Sequence, residues 1–255
     1  MICIDNTHMD IYFNLAAEEY LLKNTQDNIF MVWQSDHAVV IGKHQHVTTE
    51  TDAAFIASRQ IDIARRYSGG GAVYHDLGNI NFTFIETTDR IDFDKYIKQV
   101  VGFLASIGIY AQQDERLGIS VDGKKISGSA QSIYKGRVMY HCTLLYNTDL
   151  NILNAALNGK PGKDDELPPA YRVKSVRSEV TNLCEHLQNP PDVNRLKKII
   201  LGYFSGNDRI YGLNKYDLSA IEKLRKEKYA IPEWIFGKKI LKTEQATFSP
   251  PFSFH

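Results

Sequence analysis

The sequence predicts a mixed α/β chain in which paired strands are interrupted by amphipathic helices. Three observations carry that expectation. Apolar residues alternate along short runs such as Ile80, Phe82 and Phe84, the period of a strand. Elsewhere they recur at i, i+3, i+4 and i+7, as in Ile97, Val100, Val101 and Leu104, the period of a helix. The 255 residues, 43% hydrophobic and 24% charged, can bury a full core as one large domain or two small ones, and no internal repeat or low-complexity tract points to a solenoid.

Taken in order, Leu15, Ala16, Glu18, Glu19, Leu21 and Leu22 predict a first helix, apolar on one side. Ile29 to Trp33 and Ala38 to Ile41 then read as a β-hairpin across Gln34 to His37. The strand through Ile80, Phe82 and Phe84 alternates with Asn81 and Thr83, so it is expected to be half-buried, with its amides turned towards a site. A helix follows the acidic start at Asp92 to Asp94, where negative charge suits the helix dipole. Strands return from Ile119 to Tyr146. The stretch Asn158 to Ala170, broken by Gly159, Pro161, Gly162, Pro168 and Pro169, is a long loop. Val193, Leu196, Ile200 and Tyr203 form a helix after Pro190-Pro191, and Leu218 to Tyr229 a second one; residues 241–255 have no clear period and read as a tail.

Charge and cysteine content exclude some classes. The formal net charge is zero, so no global basic field argues for nucleic acid. Cys3, Cys142 and Cys184 are odd in number and widely spaced, with neither metal-ligand spacing nor a disulfide framework, which fits a reducing cytoplasm. The start, MICIDNTHMDIYF, has no basic segment followed by an apolar run, and no apolar stretch is long enough to span a bilayer.

Two segments carry chemistry. RRYSGGGAVYHDLGNINF, from Arg65 to Phe82, sets two arginines before three glycines whose bare amides could lie against a phosphate or carboxylate, with Arg65 or Arg66 neutralising its charge. A plain glycine-rich hairpin turn is the simpler reading of Gly69 to Gly71 alone. The polar residues crowded around it, Ser68, His75, Asp76, Asn79 and Asn81, favour a site. The second segment, VDGKKISGSAQ from Val121 to Gln131, opens on a hairpin signal at Asp122-Gly123. Alternation along its strand puts Lys125, Ser127 and Ser129 on one side and Lys124, Ile126 and Gly128 on the other, so only one of the two lysines can face a given cavity. Two solvated lysines after a turn are the simpler alternative. By the same alternation His141 and Cys142 point to opposite faces, and Cys142 shares a mostly apolar row with Val138, Tyr140 and Leu144. It therefore reads as a buried structural thiol rather than a nucleophile activated by its neighbour.

Both strings, RRYSGGGAVYHDLGNINF and GKKISGSAQ, resemble the two signature motifs of the lipoate–protein ligase A family, which is related to biotin protein ligases and to lipoyl and octanoyl transferases. NLAAEEYLL at Asn14, VVIGKHQ at Val39, YHCTLLYNTDL at Tyr140 and SVRSEVTNL at Ser175 extend the resemblance, in family order, to about Gly237. It implies an α+β fold of the biotin/lipoate protein ligase kind, a mixed, largely antiparallel sheet flanked by helices, with residues 1–240 as the catalytic domain. Two-domain members continue after the segment resembling EWIFGKK at Glu233, so the accessory domain is expected to be absent, and a separate accessory polypeptide becomes a candidate partner. The loop at Asn158 to Ala170 lies where the family carries a lid over the adenylate.

The activity so implied is ATP-dependent attachment of lipoate, through lipoyl-AMP, to a lysine of lipoyl domains of 2-oxoacid dehydrogenases or of the glycine cleavage H protein. ATP and lipoate are substrates, and Mg2+ travels with ATP. By resemblance, Arg66 and the backbone of Gly71, Ala72, Val73 and Tyr74 hold the nucleotide. Ser68, Gly69, Gly70, His75 and Asn79 hold lipoate, and Lys125 bridges both as the catalytic residue. His75, beside Asp76, reads either as an orienting group or as a hydrogen-bonded core histidine. Two other readings stand beside the ligase: a lipoyl or octanoyl transferase working from preformed adenylate or another acyl carrier, and a non-catalytic acyl-adenylate-binding subunit. Acyl-transferring relatives commonly place a cysteine in the stretch that reads DERLGISV here, and this sequence has none there. Many ligases carry an Asn-Asp pair upstream of the lysine hairpin, where this sequence is expected to place Leu117 and Gly118, leaving Asp114 or Glu115 to substitute.

Overall fold

The computed structural model describes residues 1–159, 173–206 and 208–237. β1 (Ile2–Asp5) leads into α1 (Ile11–Asn24), followed by β2 (Ile29–Trp33), β3 (Ala38–Ile41), the short helices α2 (Val47–Glu50) and α3 (Ala53–Arg59), β4 (Asp62–Arg65), β5 (Val73–His75) and the long β6 (Asn79–Thr87). After α4 (Asp94–Ser106) come β7 (Gln112–Gln113), β8 (Ile119–Val121), β9 (Lys124–Ser127), β10 (Ser129–Tyr134), β11 (Arg137–Leu145) and α5 (Leu150–Ala156). A 3₁₀ turn at Leu183–His186 precedes α6 (Val193–Ser205), β12 (Ile210–Tyr211), α7 (Lys215–Leu224), a π turn at Arg225–Tyr229 and α8 (Pro232–Ile235).

The main sheet has six strands in the order β10-β11-β6-β2-β1-β12, antiparallel from β10 to β2 and parallel beyond. Alternation sorts its side chains into two cores. Phe30, Phe82, Phe84, Tyr140 and Leu144 pack beneath α4 and α6. Met31, Trp33, Ile85 and Met139 pack on the other face with α1 and Ile221 of α7. That second face also carries the polar residues Thr83 and His141, both linked to Glu18 of α1. Two smaller sheets complete the fold, β4-β3-β5 and β7-β8-β9. The mixed, antiparallel-rich sheet flanked by helices is the predicted architecture.

Several local expectations change in three dimensions. β2 and β3 are no hairpin: β2 pairs with β1 and β6, and β3 with β4 and β5 in the second sheet. Both runs are buried along their whole length, so neither has the solvated face that an exposed hairpin keeps. Their connection is fixed from outside, with Gln34 donating to the Leu77 carbonyl at 2.7 Å and accepting from Asn14 at 2.7 Å. β6 is likewise buried on both faces up to Ile85. α1 is capped by Asp10, which accepts from the Phe13 amide, and buries Glu18 and Glu19 along with its apolar residues. Each carboxylate is matched by donors, Thr83 and His141 for Glu18 and Lys23 and Lys228 for Glu19, so burial does not strand a charge.

Residues 160–170 of the predicted loop, the tail at 241–255 and the boundary at residue 240 lie outside the described residues. Among those described, no helix is long and apolar enough to cross a membrane.

Candidate active site

The glycine run crosses from β4 to β5 over β3, which lies between them, so it is a crossover loop and not a hairpin turn. Its two arginines both serve backbone. Arg65 is buried, and its guanidinium donates to the carbonyls of Gly42, Lys43 and Gln45 at 3.0, 3.1 and 2.7 Å and, from Nε, to those of Trp234 and Ile235. Arg66 points the other way and forks around the loop, donating to the Gly69 and Gly71 carbonyls at 2.6 and 2.7 Å, to Val40 and to the Ser68 hydroxyl. Burial lowers its pKa to about 10. Gly70 takes a φ of +88°, a conformation open chiefly to glycine. Gly42 lies so close beneath that an added Cβ would stand 2.1 Å from the Gly70 carbonyl oxygen.

A buried relay holds this loop to the main sheet. Arg66 Nε donates to Ser68 Oγ at 3.0 Å, and Ser68 Oγ lies 2.7 Å from His141 Nε2. His141 Nδ1 is 2.9 Å from Glu18, which also accepts from Thr83 at 2.6 Å, and Thr83 accepts in turn from the Trp33 indole. A carboxylate can only accept, so its bonds assign the Nδ1 proton to His141 and leave Nε2 for the serine hydroxyl. Every member is satisfied, which fixes one geometry.

Lys125 and Lys124 part as alternation requires. Lys124 faces outward to exposed Glu179 at 3.0 Å, while Lys125 lines the cavity with Ser127, Gly128 and Ser129. The segment SVRSEVTNL straps this strand, since the Lys125 amide donates to the Glu179 carbonyl and its carbonyl accepts from Thr181. Of the two carboxylates left to substitute for the Asn-Asp pair, Asp114 is the one that stands beside the lysine, with Oδ2 3.8 Å from Lys125 Nζ. The turn DERLG achieves this by curling back, with Asp114 Oδ1 accepting from the amides of Arg116 and Gly118 and Leu117 at a φ of +59°. A Cβ at Gly118 would meet Asp114 Oδ2 at 2.3 Å and Lys125 Cε at 2.7 Å, so glycine makes room for the pair.

These elements enclose a cavity of about 550 Å³. Leu15, Trp33, Val40 and Val73 contribute from the core around α1, and Tyr74, Leu145, Leu153 and Val180 from a separate apolar cluster. Arg116, Lys125, Lys174 and Arg177 give it cationic character. Of the predicted residues, Arg66, Gly70, Gly71, Ala72, Val73, Tyr74, His75 and Lys125 meet on this cavity. Ser68, Gly69 and Asn79 stand off its surface. Ser68 is in the relay, and Asn79 donates to Asn81, which lines the cavity in its place. The Ala72 amide donates to Ser175 Oγ at 2.7 Å, and Glu50 accepts from the Ser175 amide. Sequence reading passed over Glu18, Trp33, Glu50, His141 and Ser175 as site residues. The string SVRSEVTNL was the one signal pointing at Ser175.

Cys142 borders the cavity, but burial pushes its thiol up to about 12, and His141 is committed to Glu18 and Ser68 on the opposite face. Cys142→Ser is therefore expected to keep most activity and to cost about 1–2 kcal/mol of stability through the buried hydroxyl. A thioester on Cys142 in mass spectra, with activity lost in the variant, would contradict this.

His75 is buried with Nδ1 3.3 Å from Ser35, while Nε2 has no hydrogen-bond partner among the described residues. Burial, and then the neighbouring Arg66 guanidinium, lower its pKa from 6.5 to about 3. The unfolded chain therefore binds a proton that the folded one refuses. Stability from this residue is complete above pH 6.5 and drains away as pH falls towards about 3. Melting temperatures of wild type and His75→Gln between pH 4.5 and 7 should show a shallower acid limb in the variant. Parallel curves would refute the assignment.

Known proteins share this sequence pattern and this fold. A Staphylococcus aureus protein named lipoate–protein ligase 1 is 37% identical over 241 residues, covering 92% of this chain and 72% of that one. A lipoate-protein ligase of Bacillus subtilis is 34% identical, covering 93% and 74%. Among solved structures, lipoate-protein ligase A bound with ATP superposes with a TM-score of 0.76 at 26% identity, covering 92% of this chain and 98% of that one. Plasmodium falciparum LipL1 in complex with lipoate gives 0.79 at 26% identity, covering 93% and 74%. The bipartite lipoate protein ligase of Thermoplasma acidophilum, described with its E2 lipoyl domain, gives 0.77 at 28% identity, covering 92% and 95%. The sequence model of the lipoyl protein ligase A/B catalytic domain matches residues 10–205, and the chain belongs to that family.

Proposed function

We propose that this chain is a lipoate–protein ligase that joins lipoate to a lysine of a lipoyl domain in two steps on one site. The lipoate carboxylate attacks the α-phosphorus of ATP, the bond to the β-phosphate breaks, and pyrophosphate leaves. The acceptor amine then attacks the carbonyl of lipoyl-AMP, forming the amide and releasing AMP. A carboxylate does not acylate an amine at neutral pH because its oxygen leaves poorly, and adenylation supplies a better leaving group. The observation that carries this reading is Lys125, paired with Asp114 and set in a cavity with two apolar walls and a braced glycine loop. One wall suits an acyl chain and the other a base, and Lys125 is the group that would stabilise charge developing at the carboxylate and phosphate between them. Arg116, Lys174 and Arg177 suit the polyphosphate. The orphaned Nε2 of His75 has capacity for a bound polar group.

Mg2+ fits as an ion carried by the nucleotide. Among the described residues no cluster of three or more potential ligands occurs, and Asp114 is the carboxylate beside Lys125 that could add one ligand. An acyl-enzyme route finds little support in a thiol as buried as Cys142. Cys3, Cys142 and Cys184 are free, as suits a cytoplasmic protein acting on lipoyl domains of 2-oxoacid dehydrogenases or the glycine cleavage H protein.

The test separates the half-reactions. Purified protein is given an apo lipoyl domain with ATP and lipoate, and in parallel with lipoyl-AMP alone, with and without a candidate accessory polypeptide. Pyrophosphate release and a lipoyl mass gain on the acceptor are expected. Acyl transfer from an acyl carrier protein without ATP would favour the transferase reading. Binding of lipoyl-AMP with no turnover under any condition would favour the non-catalytic one.

A further inference from the structure

The residue pair that opens the glycine motif is gripped from the far end of the chain. Trp234 Nε1 donates to the Arg65 carbonyl at 2.7 Å, and Arg65 Nε donates back to the Trp234 carbonyl at 3.0 Å and to that of Ile235 at 2.9 Å. The indole is held in turn, with Lys228 Nζ 3.9 Å above its ring and Tyr229 edge-on at 5.8 Å. Arg65 passes this grip forward through its three bonds to the carbonyls of Gly42, Lys43 and Gln45. Those residues cradle the loop: Gly42 packs against Gly70, and the Lys43 amide donates to the Ser68 carbonyl at 2.8 Å. One peptide beyond Arg65, Arg66 ties the Gly69 and Gly71 carbonyls.

We propose that Trp234 is a positioning residue for the glycine loop, acting through Arg65, although it does not line the cavity itself. Packing alone would need only an apolar ring at this position. The reciprocal bonds between an indole N–H, three backbone carbonyls and a guanidinium fix the height of α8 against β4, and so the seat on which Gly70 rests. The proposal extends the ligase reading to a residue that reading does not use, and its first test needs no substrate.

Trp234→Phe keeps a ring beneath Lys228 and removes the N–H donor. Amide hydrogen exchange of the ligand-free protein should quicken about three- to ten-fold in peptides covering 42–45 and 66–73, the worth of one buried hydrogen bond, while β6 exchanges as before. Unchanged exchange in those two peptides would overturn the proposal, as would a uniform rise that includes β6. Should the variant fail to fold, wild-type protein labelled with 5-fluorotryptophan decides instead, since the chain has two tryptophans, assigned through a Trp33→Phe variant. Saturating lipoate should move the Trp33 resonance by direct contact and the Trp234 resonance through the clamp. A shift at Trp33 alone refutes the clamp, whereas no shift at either removes lipoate from the cavity and leaves the exchange of Arg65→Lys against wild type to judge the clamp by the same criterion.

Discussion

Lys125→Ala is expected to lower ligation by about 10²–10³-fold, or roughly 3–4 kcal/mol of transition-state stabilisation, because it removes a charged donor aimed into the cavity where negative charge develops. Lys124→Ala should change the rate less than about two-fold, since exposed pairs such as Lys124–Glu179 contribute little. The comparison is informative because the residues are adjacent and alike, differing only in the face to which β9 turns them. Rates of lipoyl transfer from ATP plus lipoate and from lipoyl-AMP, measured for both variants, check it. Equal losses, or a folded and fully active Lys125→Ala, would remove Lys125 from the mechanism. Asp114 modulates the same centre, so Asp114→Asn should act through Lys125 and not add to its loss.

Gly42→Ala should be nearly as damaging without touching a charge. Its Cβ would stand 2.1 Å from the Gly70 oxygen and within 3.2 Å of Gly69, and all of these neighbours are backbone, so the loop must move. A displacement of about 1 Å in a positioning element can cost about 10²-fold in rate. Gly69→Ala is the matched control, because nothing lies within 4 Å of the added methyl and the backbone groups of the loop stay in place. Its activity should remain within about three-fold of wild type, as for an open surface position. Steady-state kinetics with a thermal melt for each variant tests the pair. Wild-type rates in a folded Gly42→Ala would mean that the loop position is not critical.

Much of the chemistry was legible in the sequence because it is local. A strand's two-residue period was enough to separate Lys125 from Lys124 and to turn Cys142 away from His141, and the structure keeps both assignments. The helices after Asp92 and Pro191 follow from their apolar period, with Asp94 in the first turn of the former and Asp192 capping the latter. Six ordered strings carried the family and with it the fold.

Tertiary structure alone decided the rest, because it depends on pairings between distant segments that no local period encodes. The runs at Ile29 and Ala38 look like neighbours, yet their best hydrogen-bonding and apolar partners are β6 and β4, far along the chain, and the hairpin is lost to two sheets. Glu18 reads as the polar side of a helix until Thr83 and His141 arrive to bond it. Arg65 and Arg66 are equivalent in a string, but adjacent strand residues face opposite ways, so one clamps α8 and the other braces the glycines. Asp114 reaches Lys125 only because Leu117 and Gly118 fold the intervening turn back on itself. By itself the sequence determined which residues are present and which way each local segment turns them; the fold decided which of them meet, since burial demands a partner for every polar group and that partner is usually remote in the chain.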